Sequence, residues 1–408
     1  MRKNWILISL LNFLIAAIMG LVLRAAFVWE LNWIEFKNLL HGHSHVALLG
    51  WLYLGFFILI HGNFLPKEKA SKPIYTYLFW LTQFSITGMM IAFPLQGYAG
   101  FSIFFSSLHI VLSYLFVFRV WRDHIKGCEQ INLLLKTSLF LLLLSTLGVW
   151  GVAVIMGNGG GGGMLYQVAI QFYLHFQFNG WLIFALLTLI VKTFKVSFPR
   201  LGFRLVYGFL LSSQILTFAL ILFWAYQWSW AYYVNAVGVL LQLFGLVAIF
   251  VLKRKSLPKL SLHFSPKTKP WLILAVIVGL IRVAAQTLLV LPELAEMVVI
   301  LRLFIIGFIH LSMLGLFSAY LMFSFINSNT LEVQNRGMKT AFWFYYLGFI
   351  GTEMLLFAQG FFFWQGWGSM AYFNESLLVF SCCLPLGMCI YIHLYNKHLN
   401  SALLTNYT

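Results

Sequence analysis

Acidic residues are scarce in this chain. Its 408 residues include 10 Asp and Glu against 26 Lys and Arg, and charged residues of both signs make up only 9% of the sequence. A soluble domain of this length needs far more charge to cover its surface, so a water-soluble globular protein is excluded. Cysteine is equally scarce. Cys128, Cys382, Cys383 and Cys389 are the only four, and no C-x-x-C-H occurs, which excludes covalent attachment of a c-type haem. The adjacent pair Cys382–Cys383 reads as helix packing. A cleavable signal is also missing. The first apolar run, from Trp5 to about Val28, is too long for a signal segment and has no small-residue cleavage site. No polar stretch is long enough for a separate soluble domain; the longest, residues 252–269, is a basic loop.

What is present is apolar sequence, at 62% of the chain. Runs of about 20 apolar residues, enough to cross a hydrocarbon core of about 30 Å, recur throughout. Twelve spans are predicted, near 5–28, 41–64, 74–94, 99–119, 131–156, 165–191, 203–225, 230–252, 271–291, 298–325, 340–362 and 376–396. They form one polytopic membrane domain over residues 1–408. The fold expected is an all-α integral membrane bundle in a plasma or inner membrane.

The formal net charge of +16 superficially suggests a nucleic-acid partner, but its distribution argues against one. Connections on one side carry Lys67, Lys69, Lys72, Arg122, Lys126, Lys195, Arg200, Arg254, Lys255, Lys259 and Lys267 among others. Those on the other side carry Lys37 alone as a cation, with Glu30, Glu35, Glu293, Glu296 and Glu375. This is the positive-inside asymmetry, and it predicts cytoplasmic N- and C-termini. The stretch "GNGGGGGML", residues 157–165, reads as a flexible connector.

Histidines carry the remaining signal. "HVALLGW" begins at His45, "HFQFNGW" at His175 and "HLSMLGL" at His310, so a glycine follows each histidine by five positions. His109, in "SSLHIVLSYLF", belongs to span four. Ionisable groups inside a bilayer are costly and usually face the bundle interior. Four on separate spans point to a shared metal or haem site, with unrelated structural histidines as the alternative. In "LLHGHSH", residues 39–45, positions four apart share a helix face, whereas His43 lies about 200° from its neighbours. The predicted boundary places His41 and His43 in the headgroup zone and leaves His45 as the ligand. The glycines fit close approach either of a large flat group or of a neighbouring helix.

A bis-histidine haem needs two imidazoles, each with a nitrogen toward iron, and cations for its propionates. Arg24 closes span one, and Arg302 opens span ten about two turns before His310. Each also fits simple snorkelling. Arg282 lies near the middle of span nine. Glu353, in "GTEMLLF", reads either as a proton relay or as a structural partner of Arg282.

Twelve spans with histidines on spans two, six and ten resemble the catalytic subunit (subunit I) of haem-copper oxidases, over essentially the whole chain. "FIHLSMLGLFSAYLMF", residues 308–323, is similar to the cbb-type pattern H-A-H-L-G-x-Y-G-F-x-x-M-x-M-F. Nitric oxide reductases and the NnrS family of haem-copper membrane proteins are similar in kind. The resemblance implies a low-spin b-type haem on His45 and His310, and a copper ligand at His175. It also implies a cytochrome c or another respiratory subunit as electron donor, and a small gas as substrate.

The departures bear on activity. The position of the oxygen-reactive haem's ligand falls on Phe308, and span seven, "YGFLLSSQILTFALILF", has no histidine. His109 or Gln214 would have to complete a copper site. The expectation is a haem-binding relative whose oxygen- or nitric oxide-reducing centre is degraded. Two alternatives stand beside it: a transition-metal (copper) transport or handling protein with His41, His43 and His45 at its outer mouth, and an NnrS-like protein that binds haem and copper without turnover.

Overall fold

A computed structural model describes residues 2–253, 264–330 and 335–404. Arg254, Lys255 and Lys259 of the basic loop lie outside the described residues. All regular structure among the described residues is helical. Twelve helices are long and apolar enough to cross a membrane: α1 Lys3–Ala25, α2 Phe36–Phe64, α3 Pro73–Gln96, α4 Gly100–Asp123, α5 Glu129–Gly157, α6 Met164–Thr193, α7 Arg200–Tyr226, α8 Ser229–Lys253, α9 Lys269–Leu288, α10 Arg302–Ser328, α11 Arg336–Trp364 and α12 Phe373–Lys397. The chain is therefore a multi-pass, all-helical membrane protein.

Local chemistry sets several helix ends. Pro73 occupies the first turn of α3, where its missing N–H costs nothing, and Gly97 at φ 62° ends that helix. Ser102 caps α4 by accepting the Ala99 N–H at 2.9 Å. The glycine-rich connector makes a compact turn. Gly159 and Gly162 adopt φ of 77° and 78°, which side chains rarely tolerate, and the Gly160 N–H donates to the Ile155 carbonyl at 2.9 Å.

Two compact units make up the fold. The first comprises residues 1–124, 264–278 and 303–408; the second comprises 125–263 and 279–302. In the first unit α1 packs on α2 and α12, α3 on α4, and α11 on α12. Its core is aromatic: Trp5 stacks on Phe79 at 4.4 Å, and Phe13 on Trp51 at 4.7 Å. In the second unit α5 packs against α6, and α7 against α8. Large apolar side chains such as Phe84, Ile91, Phe101, Phe118 and Phe140 stay exposed, as lipid-facing positions do.

α2, α6 and α10 each change from α- to π-helix part-way along. The change comes at Val46–Tyr53, Phe176–Trp181 and Leu311–Ser318, directly after His45, His175 and His310, and α10 runs into a second π-helical stretch at Ile326–Thr330. The sequence repeat is thus a structural repeat. A wide turn breaks the regular i→i−4 ladder, and carbonyls left over inside a bilayer need other donors. In the first unit Asn12 of α1 donates to the Gly50 carbonyl at 2.9 Å, and Tyr345 of α11 donates to Leu314 at 2.8 Å.

Candidate histidine sites

α2 begins at Phe36, five residues before the predicted boundary, and residues 36–45 form regular α-helix. His41, His43 and His45 therefore lie within the helix and are only partly exposed. Counted from its helix start, His45 stands nine positions in, His109 nine, His175 eleven and His310 eight. At about 1.5 Å per residue each is roughly 12–17 Å along its own helix.

Helical geometry separates the three histidines of α2 onto two faces. His41 and His45 turn toward the end of α3: His45 stacks on Phe93 at 4.2 Å, and His41 meets the Tyr98 ring edge-on at 4.7 Å. His43 turns toward α1, where its Nδ1 bonds the Ala16 carbonyl at 2.9 Å. A side chain at Gly20 would put its Cβ 2.9 Å from the His43 ring, so the bare backbone of Gly20 makes the space for that imidazole.

Two neighbourhoods result within the first unit. Arg24 and His43 lie within electrostatic reach of His310, and His45 lies within reach of His109. Arg24 is also the cation that acts on Glu353, which is 5% exposed with neither carboxylate oxygen hydrogen-bonded. Glu353 thus sits with Arg24, and Arg282 has other partners. Of the pair expected from the sequence, His310 is within electrostatic reach of His43 and Arg24, and His45 is within reach of His109. His43, expected in the headgroup zone, shares the neighbourhood of His310.

Ring nitrogens decide what each histidine can bind. In His43, His45 and His310, Nδ1 bonds the carbonyl of Ala16, His41 and Ile306 respectively, at 2.8–2.9 Å. A carbonyl only accepts, so Nδ1 carries the proton and the lone pair sits on Nε2. That arrangement is common behind metal-bound imidazoles, because it fixes the tautomer and orients the ring. His109 is 3% exposed, and its Nε2 has no hydrogen-bond partner.

His175 differs. Its Nε2 bonds the Gln214 carbonyl at 2.8 Å, and its Nδ1 accepts from the Asn179 amide at 3.1 Å. The carboxamide oxygen of Asn179 in turn accepts from Arg282, and Arg282 also donates to Gln286 at 3.2 Å. Both ring nitrogens are committed, so the residues present do not fit a copper centre at His175. Gln214 takes part through its backbone carbonyl, and not through a side chain that completes a copper site. Among the described residues no three His, Cys, Asp or Glu side chains converge as a metal-holding group.

Arg302 is exposed at the start of α10. The glycines five positions after each histidine accommodate neighbouring helices. A Cβ at Gly315 would meet Phe349 at 2.4 Å and Val278 at 2.8 Å, and one at Gly50 would meet Ile86 at 3.0 Å. The sequence signal that could have singled out His43 is Gly20, but only the packing of α1 on α2 pairs the two. Compared with models of known protein families and with curated proteins, the chain matches none.

Proposed function

We propose that this is a haem-binding membrane protein in which His310 and an imidazole of α2 hold one low-spin b-type haem for electron transfer. One observation carries the reading. Half-buried imidazoles on α2 and α10 each have Nδ1–H anchored on a backbone carbonyl and the Nε2 lone pair left over. Two such nitrogens are what axial ligation of iron requires. Arg24 supplies a cation in the same neighbourhood as His310, suited to a propionate. The haem, when bound, supplies a one-electron couple; the protein's part is to orient the ligands and exclude water.

The sequence favours His45 as the second ligand. The shared surroundings of His43, Arg24 and His310 favour His43. With Phe308 at the position of the oxygen-reactive haem's ligand, the proposal is electron transfer or gas sensing, and not reduction of oxygen or nitric oxide. Cytoplasmic termini, a plasma or inner membrane, and a cytochrome c or other respiratory subunit as electron donor belong to the same proposal. A transition-metal carrier is the less supported reading, because no group of three ligands converges among the described residues.

Purification from a haem-sufficient host in mild detergent, followed by a dithionite-reduced minus oxidised spectrum, tests the proposal. A sharp b-type α-band unaltered by carbon monoxide is expected. Folded but colourless protein would overturn it.

A further inference from the structure

We propose that the second unit holds an anionic phospholipid, with the head-proximal part of one acyl chain in a cavity at its basic end and the phosphate between Lys195 and Lys253. The inference is independent of any haem. A cavity of about 240 Å³ lies between the ends of α5, α6, α7 and α8. Its wall is almost wholly apolar, with Leu134, Leu187, Ile190, Val206, Leu210 and Ile249 among its residues. Among the described residues its only charged ones are Lys195 and Lys253, and no acidic side chain lines it. An apolar wall under a cationic rim is complementary to an amphiphile with an anionic head, and anionic headgroups are recognised by basic pockets at membrane surfaces.

The segment that joins α6 to α7 is held in place as part of this wall. Gln130 of α5 grips Phe198 on both sides, donating to its carbonyl at 2.7 Å and accepting its N–H at 3.2 Å. The Lys253 ammonium lies 4.6 Å from the Phe198 ring centroid and donates to the Ser197 carbonyl. An ammonium has three donors, so a carbonyl and a ring leave capacity for a phosphate oxygen. The Val196 N–H returns to the Val191 carbonyl at 3.0 Å, with Lys195 at φ 50° forming the turn and its side chain exposed at the rim. Arg200 and Arg204, exposed in the first turns of α7, add to the positive field at this end.

The test uses the full chain, delipidated in a neutral detergent. Phosphatidylglycerol and phosphatidylcholine of identical acyl chains are compared by native mass spectrometry and by thermal unfolding. Phosphatidylglycerol should be retained at least about tenfold more strongly, and should raise the unfolding temperature by several degrees. Combined Lys195→Gln and Lys253→Gln should abolish that preference, and Lys195→Gln alone, at the exposed rim, should weaken it while the lipid-free unfolding temperature stays unchanged. Leu210→Trp, which fills the cavity, should prevent retention of either lipid; if it does not fold, the lysine variants alone decide. Equal retention of the two lipids, an undiminished preference in the lysine variants, or displacement of phosphatidylglycerol by a neutral quinone would each overturn the proposal.

Discussion

The indole Nε1 of Trp51 donates to the hydroxyl of Ser318 at 2.6 Å, and the Ser318 hydroxyl in turn donates to the Met313 carbonyl at 2.7 Å. The bond joins the π-helical stretch of α2 to that of α10. It is buried, so its loss leaves polar atoms without water to replace them.

Trp51→Phe keeps a ring to stack on Phe13 but removes the donor. It should destabilise the protein by about 1–2 kcal/mol. Ser318→Ala should cost less in the Trp51→Phe background than alone, because only its bond to the Met313 carbonyl is then left to lose. Chemical unfolding in detergent micelles reads both. Additive losses would mean that the two helices are not joined through this contact.

The imidazoles can be sorted by haem content. His310→Ala should lose nearly all bound haem, because one axial nitrogen does not hold a low-spin iron. His43→Ala and His45→Ala are the discriminating pair. The shared surroundings of His43 and His310 predict loss in the first and retention in the second. Haemochrome assay against protein concentration measures this, and retained haem in His310→Ala would refute the ligand assignment altogether.

His175 should behave as a structural residue. Removing it strands the Gln214 carbonyl and the Asn179 amide, so His175→Ala should cost about 1–3 kcal/mol. Elemental analysis should find the copper and iron content of the folded variant unaltered. Metal lost while stability is kept would show that the Gln214 and Asn179 bonds do not describe its role.

The three glycines should grade by the room around them. Gly315→Ala drives a methyl into Phe349 and Val278 and should cost about 1–3 kcal/mol. Gly50→Ala, with Ile86 at 3.0 Å and Asn12 at 3.2 Å, should cost less. At Gly180 the nearest atom is Leu141 Cβ at 3.4 Å, an ordinary contact. There alanine should be neutral or stabilising by up to about 1 kcal/mol, because glycine is the poorer helix former. Unfolding midpoints in that order are expected, and an inverted order would contradict the close helix approach.

Much of the membrane architecture was readable in the sequence, because crossing a hydrocarbon core leaves a helix as the available local structure and demands about 20 apolar residues. Twelve spans were expected and twelve apolar helices are found. The boundary that mattered most was missed. Glu35 and Lys37 read as loop residues, yet α2 starts at Phe36 and carries Lys37, His41, His43 and His45 inside the helix.

The repeat around His45, His175 and His310 was visible as a spacing of histidine and glycine. A spacing does not say which atoms fill the room beside a glycine. Nor does it say where a ring nitrogen finds its partner. By itself the sequence determined that the chain is helical and membrane-embedded, and which polar groups must be hidden, since both follow from hydropathy along the chain. Only the tertiary structure decided that His43 faces Ala16 and Gly20, that His175 is spent on Gln214 and Asn179, and that Arg24 comes within electrostatic reach of Glu353. Those relationships depend on helix rotation and on the neighbours that packing brings within hydrogen-bond range, which no single span encodes.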